Sequence, residues 1–207
     1  MRILLFVALS GLTSLSFANQ QAMQQLNKLT ADPVAQELAY TAGHERITLC
    51  QHCHGEDGNS KRDYIPNLAE QNPIYLFNSF EKFATGERKD FVMSKLAKIL
   101  SLDDRVNIAL YYGQQKVVTK PTNNQHLHER GQHIFEKTCQ GCHGANGEGK
   151  QDMPRLAGQP AEYLTRTLKV FRSKDPSRTA SVMFGITANM SDEDMQSVAS
   201  YLQELDF

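Results

Sequence analysis

Four cysteines occur in this 207-residue chain, and all four belong to two copies of the pattern Cys-x-x-Cys-His. The first copy begins at position 50 and the second at position 139. This pattern is typical of covalent attachment of a c-type haem. Two thiols one helical turn apart can each form a thioether to a porphyrin vinyl group, and the adjacent histidine can then ligate the iron. The residues predicted to hold two haem c groups are Cys50, Cys53, His54, Cys139, Cys142 and His143.

Other uses of paired cysteines fit less well. A tetrathiolate zinc site usually has its two Cys-x-x-Cys pairs about 15–20 residues apart, much closer than the separation here. A thioredoxin-like site has one such pair near a βαβ pattern, which this sequence lacks. Structural disulfides would not require a histidine after each second cysteine. The double motif therefore favours two haem sites.

The amino-terminal residues have the pattern of a secretory signal peptide. Arg2 supplies a positive start, positions 3–17 are mostly apolar, and Ala18 provides a small residue before a cleavage site. The apolar stretch is interrupted by serine, glycine and threonine and is too short for a spanning helix. We predict a signal peptide over residues 1–18, a mature chain beginning at Asn19 and export to the periplasm.

The length of the mature chain predicts two small domains. Its 189 residues give each domain a size at which apolar burial alone is barely sufficient, and a covalently held haem would supply additional core. We predict domains over residues 19–115 and 126–207 with a linker over 116–125, which contains proline, threonine and asparagine. The formal net charge of −1 argues against nucleic-acid binding.

One half of the chain repeats the other. The segment Pro66–Gln71 aligns with Pro154–Gln159 at an offset of 88, while the haem motifs align at an offset of 89. Further aligned pairs follow towards the end of each half. They are Arg88 with Arg178, Met93 with Met183, Ser101 with Ser191, and Tyr111 with Tyr201. The pattern indicates one duplicated unit.

Each unit is predicted to be helical. Helices are expected to lead into both haem motifs, over residues 35–50 and 129–139, and middle helices to start near Pro73 and Pro160. Terminal helices are expected over residues 102–112 and 192–205, with Ser101 and Ser191 as N-caps. Gly43 and Gly131 lie on the helices that lead into the motifs. We expect each to let the terminal helix of the same unit cross that helix closely.

A methionine is predicted on the opposite face of each iron. Between Cys53 and the linker the only methionine is Met93. The second half has four methionines, and Met183 is the one that aligns with Met93 in the repeat. The other three, interpreted as apolar packing, are Met153, Met190 and Met195.

Histidine is the alternative sixth ligand. The histidines near the motifs have no counterpart in the other unit, which a ligand of a duplicated site should have, so we interpret them as surface or linker residues. They are His44, His52, His126, His128 and His133. The choice matters because a thioether ligand raises the reduction potential relative to bis-histidine ligation.

Further residues are candidates for supporting the haems. A ligating histidine usually donates its second ring N–H to a carbonyl or carboxylate, and Pro66 and Pro154 are placed to offer backbone carbonyls, the alternative being that they stiffen a loop. Arg88 and Arg178 lie five residues before each methionine. They are candidates for pairing with a haem propionate, the alternative being exposed arginines.

The order of these motifs resembles that of class I c-type cytochromes: Cys-x-x-Cys-His-Gly, Pro-x-Leu-Ala-x-Gln, then methionine ahead of Ser-x-x-Asp and a final Ala-x-Tyr. Their duplication over nearly the whole mature chain resembles the dihaem cytochrome c4 family. The first unit departs from the pattern at Glu70, where the motif elsewhere has glycine. This difference bears on the geometry of the loop rather than on the iron ligands.

The resemblance implies an all-α fold of two tandem class I cytochrome c domains, each wrapped around one covalent haem. It implies a periplasmic electron carrier, soluble or loosely membrane-associated, that takes electrons from a quinol-oxidising complex and passes them to a terminal oxidase or reductase. Because irons with both axial positions filled have no site for a substrate, we predict no enzymatic activity. Two alternatives stay open: a cytochrome subunit of a larger dehydrogenase, as in flavocytochromes, and a dihaem enzyme such as a peroxidase or thiosulfate-oxidising cytochrome.

Overall fold

Helices joined by glycine- and proline-containing turns make up the described part of the chain. The computed structural model describes residues 20, 23–29, 31–122, 124–150 and 152–207, so the predicted signal peptide over 1–18 lies outside it. Within these residues β structure is limited to two isolated bridges, Arg88 with Arg178 and Lys150 with Met153. The predicted all-α fold class is confirmed. No helix in the described ranges is long and apolar enough to cross a membrane.

Five α-helices follow Asp32 in the first unit. They are α1 (Pro33–Arg46), α2 (Gln51–His54), α3 (Pro73–Thr85), α4 (Met93–Ile99) and α5 (Leu102–Gly113). A 3₁₀ turn over Ile47–Leu49 joins α1 to α2. Ahead of α1, residues 23–29 are helical and Leu26 is buried in the core of this unit.

The second unit repeats this order. Its helices are α6 (Gln125–Ile134), α7 (Gln140–His143), α8 (Ala161–Arg172), α9 (Met183–Thr187) and α10 (Asp192–Glu204). A π-helical turn over Phe135–Cys139 joins α6 to α7, where the first unit has its 3₁₀ turn. A π turn holds more residues than a 3₁₀ turn. The second unit accommodates its one extra residue here, which is why the repeat offset changes from 88 to 89 ahead of the haem motif.

The helices leading into the haem motifs begin earlier than predicted. Helix α1 begins at Pro33 because the Asp32 side chain accepts the N–H groups of the first turn. Helix α6 begins at Gln125, inside the predicted linker, because the Asn124 side chain accepts the N–H of Leu127 at 3.1 Å. Neither α-helix continues to its cysteine, since the 3₁₀ and π turns intervene.

Close helix crossings position each haem motif. A Cβ atom added at Gly43 would collide with the backbone carbonyl of Asn107 in α5, and one added at Gly131 with that of Ser197 in α10. The predicted role of these glycines is confirmed. The predicted caps are confirmed too, because Ser101 and Ser191 each form a capping box at the start of α5 and α10.

The linker contacts both units. In the first unit, the Asn59 side chain donates to the carbonyl of Lys116 and accepts from the N–H of Val118, both at 2.8 Å. In the second, the N–H of Lys120 donates to the carbonyl of Gln203 at 3.2 Å. These contacts fix the path of the chain between the units.

Candidate functional site

Two thiols, an imidazole and a thioether line one cavity in the first unit. They belong to Cys50, Cys53, His54 and Met93. The remaining lining residues are apolar or aromatic: Leu49, Leu68, Phe80, Val92, Leu96, Ile108 and Tyr112. This donor set in an apolar cavity fits a porphyrin held by two thioethers, with one ligand for each face of its iron.

Short helices place the cysteines and histidines. In the first unit the N–H groups of Cys53 and His54 both donate to the carbonyl of Cys50, at 3.1 and 2.9 Å, so the motif forms one tight helical turn. The turn ends at Gly55, whose φ is +81°; the second motif ends in the same way at Gly144, with φ +88°. Residues that carry a side chain rarely adopt this backbone conformation, which explains the glycine after each motif.

Both motif histidines face a proline carbonyl. Nδ1 of His54 lies 2.9 Å from the carbonyl oxygen of Pro66, and Nδ1 of His143 lies 3.0 Å from that of Pro154. Burial lowers the pKa of both imidazoles, so the rings are neutral. A neutral ring that donates from Nδ1 keeps the lone pair of Nε2 available for a metal.

The first thiol of each motif is buried, which disfavours its ionised form. Burial raises the pKa of Cys50, although Arg46 acts in the opposite direction. Burial, together with the neighbouring Cys142, raises the pKa of Cys139 to about 11. Among the described residues, no group of three or more histidine, cysteine, aspartate or glutamate side chains is arranged to hold a metal ion. The geometry therefore gives no support to a thiolate zinc site.

The predicted methionine ligands occupy equivalent positions. Met93 and Met183 are each the first residue of a short helix, α4 and α9, and both are half-buried. Met195 is fully buried and Met190 packs against the core of the second unit. Their surroundings agree with packing roles.

Three of the alternative histidines have polar partners and the other two are exposed. His44 lies 3.3 Å from Glu56 and His128 lies 3.0 Å from Glu204. Nδ1 of His52 is hydrogen-bonded to the carbonyl of Thr48 at 2.8 Å. His126 and His133 are exposed. None of the five lines the cavity of the first unit.

Arg88 and Arg178 meet at the boundary between the units. Their backbones form an isolated antiparallel bridge. Each guanidinium lies over a ring of its own unit, 4.5 Å from the Phe83 centroid and 5.1 Å from the Phe171 centroid. Among the described residues no carboxylate forms an ion pair with either arginine. The repeat showed that these two arginines correspond in sequence, and the structure shows that they are also neighbours in space.

Two tyrosines accompany these arginines. The Arg88 guanidinium donates to the hydroxyl of Tyr163 at 3.3 Å. Burial acts to raise the pKa of Tyr75, but the charges of Arg88 and Arg178 and hydrogen bonds with Ser79 and Arg88 together outweigh it, and the pKa is lowered. The cluster therefore has a positive potential.

A reciprocal pair of glutamines joins the two units. Gln71 accepts from the backbone N–H of Arg155 at 2.8 Å and donates to its carbonyl at 3.0 Å. Gln159 does the same to Asn67, at 3.0 and 2.7 Å. Sequence reasoning missed these contacts, although both glutamines belong to the repeated Pro-x-Leu-Ala-x-Gln segment.

Arg155 is a buried cation between the units. Its side chain is 0 % exposed, and its guanidinium donates to the carbonyls of Ala157, Ala69 (2.8 Å) and Asn67 (3.4 Å). Burial lowers the pKa of Arg155 to about 10, with Glu70 acting in the opposite direction. The group therefore remains charged at neutral pH, and the charge is stabilised by carbonyl dipoles of both units.

Comparison with known proteins establishes the family. The cytochrome c4 of Pseudomonas aeruginosa is 31% identical to this chain over 176 residues, which covers 79% of this chain and 87% of that protein. The chain belongs to the cytochrome c4 family. The reduced recombinant cytochrome c4 of Pseudomonas stutzeri has the same fold, with a TM-score of 0.75, 31% sequence identity, and coverage of 80% of this chain and 98% of that one. A family model described as cytochrome c matches residues 128–206.

A further relative has a different name. The thiosulfate dehydrogenase electron acceptor of Thiomonas intermedia is 32% identical over 182 residues, covering 79% of this chain and 82% of that protein. Members of the family carry two covalently attached haem c groups, which the two motifs of this chain fit. The predicted family, fold and cofactors are confirmed, and the chain is a c-type cytochrome electron carrier.

Proposed function

We propose that this member of the cytochrome c4 family works in the periplasm as a dihaem carrier whose irons are ligated by His54 with Met93 and by His143 with Met183. The observation that carries the proposal is the apolar cavity of the first unit, which contains both thiols, the imidazole and the thioether. When bound, each haem supplies a one-electron redox centre. Two protein ligands per iron leave no coordination site for a substrate, so the proposed role is electron transfer without catalysis.

The proposed organisation follows the repeat. The signal peptide covers residues 1–18, the domains cover 19–115 and 126–207, and the linker covers 116–125. Thioether ligation raises the reduction potential of a haem relative to bis-histidine ligation. We therefore expect the protein to be a carrier that donates its electrons to an oxidising enzyme. We therefore propose a quinol-oxidising complex as donor and a terminal oxidase or reductase as acceptor, with loose membrane association at most.

The arginine cluster supports placement of the propionates between the units. Arg88 and Arg178 are cations whose polar contacts include tyrosine hydroxyls, and a haem propionate would supply the missing anion. We propose that the two arginines bind propionates, one from each haem. Pro66 and Pro154 are proposed to orient the ligating histidines through the carbonyl contacts described above.

Substitution of the methionines tests the ligation. Met93→Ala and Met183→Ala should each remove half of the weak red methionine–iron absorption band of the oxidised protein. Met190→Ala is the matched control, because Met190 packs against the second core, and should keep the whole band. Loss of the band from only one of the first two variants would contradict paired ligation.

Binding of carbon monoxide separates the carrier from a dihaem enzyme. A reduced carrier with both axial positions filled should bind the gas slowly or not at all. Rapid binding at one haem of the wild-type protein would show a displaceable ligand and support a peroxidase or thiosulfate-oxidising enzyme.

The second candidate function is an electron-accepting subunit of a dehydrogenase. It is favoured by the similarity to the thiosulfate dehydrogenase electron acceptor of Thiomonas intermedia. Purification of the untagged protein from its native periplasm distinguishes the two functions. A carrier should elute alone, whereas a subunit should elute with a dehydrogenase and be reduced when the substrate of that enzyme is added.

A further inference from the structure

The glutamine contacts between the units act on particular peptide groups. In the first unit the carbonyl of Pro66 and the N–H of Asn67 belong to one peptide bond. The carbonyl accepts from Nδ1 of His54 at 2.9 Å, while the N–H donates to Oε1 of Gln159 at 3.0 Å. A continuous hydrogen-bond chain therefore runs from a glutamine of the second unit to the histidine of the first.

The second unit has the same chain in the opposite direction. The carbonyl of Pro154 accepts from Nδ1 of His143 at 3.0 Å, and the N–H of Arg155 in that peptide donates to Oε1 of Gln71 at 2.8 Å. Gln71 and Gln159 are both 3 % exposed. Water therefore does not compete for these contacts.

Hydrogen bonds along such a chain strengthen one another. An acceptor at the N–H of an amide polarises the group and makes its carbonyl oxygen a better acceptor. A stronger bond from the carbonyl to the histidine N–H raises the basicity of the ligand. A more basic imidazole stabilises the oxidised, more positive iron and so lowers the reduction potential. The second amide contact, from the glutamine N–H to the carbonyl of Asn67 or Arg155, fixes the geometry.

We propose that each glutamine is a positioning residue for the haem of the opposite unit: Gln159 tunes the centre ligated by His54, and Gln71 tunes the centre ligated by His143. The inference rests on the proposed ligation by these histidines. It assigns the glutamines a crossed effect, which a residue that merely stabilised its own loop would not have.

The test is a redox titration of the purified holoprotein carrying Gln159→Met. Methionine has a similar volume but removes both amide contacts. The two centres are distinguished by NMR signals of their methionine methyl groups, assigned with the Met93 and Met183 variants. We expect the potential of the first centre to rise while that of the second is unchanged. A shift confined to the second centre, equal shifts in both, or no shift would overturn the proposal.

A reciprocal variant and a control accompany this experiment. Gln71→Met should raise the potential of the second centre, and it decides the question if Gln159→Met fails to incorporate haem. Gln71 also accepts from the N–H of Asn72 at 3.0 Å, so Gln159 gives the cleaner result. Gln203→Met is the control, because Gln203 also bonds backbone groups, those of Ala161 and Lys120; it should leave both potentials unchanged.

A second measurement separates this inference from the proposed ligation. In the reduced protein, ¹⁵N-histidine labelling reports the Nδ1 proton of His54. Weakening of the hydrogen bond in Gln159→Met should move this proton upfield, while the methionine–iron band, measured separately on the oxidised protein, is kept. A missing band in the wild-type protein would contradict the ligation, whereas an intact band with an unmoved proton would contradict the crossed chain alone.

Discussion

Glu70 in the first unit adopts the same left-handed backbone conformation as Gly158 in the second, with φ of +55° and +68°. This conformation costs a non-glycine residue about 1–2 kcal/mol. The Glu70 carboxylate pairs with Lys116 and accepts from the N–H of Val117 at 3.2 Å, which offsets part of the cost. The loop therefore follows the same path in both units, although its sequence differs.

Gly158→Ala should destabilise the protein by about 1–2 kcal/mol, because it imposes the left-handed cost without the contacts made by Glu70. The added Cβ would also lie 2.8 Å from Cγ2 of Val117. Denaturant unfolding followed by circular dichroism measures the change. Gly185→Ala is the control, since a Cβ at Gly185 meets nothing within 4 Å; equal stability of the two variants would contradict the prediction.

Asp194 should stabilise the fold fully above about pH 4 and progressively less below it. The backbone N–H of Ser191, helped by the Ser191 hydroxyl and Arg130, holds the pKa of Asp194 below its usual value. A carboxyl whose folded pKa is lowered contributes stability when ionised and loses it as the pH falls through the folded pKa. Asp194→Asn removes a negative charge from the first helical turn and should cost about 0.3–1 kcal/mol at pH 7, and the difference should shrink as the pH falls below 4.

Urea unfolding at several pH values measures this dependence. Glu193→Gln is the matched control, because it removes a charge from the same turn and leaves the capping box intact. A difference between wild type and Asp194→Asn that stayed constant down to pH 2 would show that the cap does not depend on the charge.

The second unit should depend more on its haem than the first. Among the described residues, the hydrophobic cluster of the first unit contains fourteen buried residues and that of the second contains six. The second unit thus has less protein core to replace the apolar surface of a porphyrin. Replacing Cys139 and Cys142 by alanine should produce a monohaem protein that loses much of the helicity of its second half.

The reciprocal variant provides the comparison. Replacing Cys50 and Cys53 by alanine should cause the smaller loss of ellipticity at 222 nm. Equal losses, or full helicity in both variants, would mean that the protein cores suffice without the haems.

The buried charge of Arg155 should raise the potentials of both haems. Its guanidinium contacts carbonyls in the proline loops of both units, and a nearby cation disfavours the more positive, oxidised iron. Arg155→Gln keeps hydrogen-bond donors but removes the charge, so redox titration should show a decrease at both centres. Arg166→Gln, at an exposed position of the same unit, should have little effect because solvent screens that charge.

Local features of the fold could be predicted from the sequence. The caps at Ser101 and Ser191 and the helix crossings at Gly43 and Gly131 depend on short-range patterns or on the repeat, and the structure confirms them. The conformation of Glu70 was not predictable, because its cost is offset by contacts with the linker. The glutamine contacts between the units were not predictable either, since the repeat shows which residues correspond but not which ones face each other.

The glutamines that join the units recognise only main-chain atoms of the facing loop. These hydrogen bonds therefore do not depend on the side chain at position 67 or 155, and this chain has asparagine at one position and arginine at the other. A change of side chain at either position therefore leaves the glutamine contacts in place, although at position 155 it removes the bonds from the guanidinium to both units. Evolution can in this way change the charge near the two haems, and with it the energetics of electron transfer, while the glutamine contacts persist.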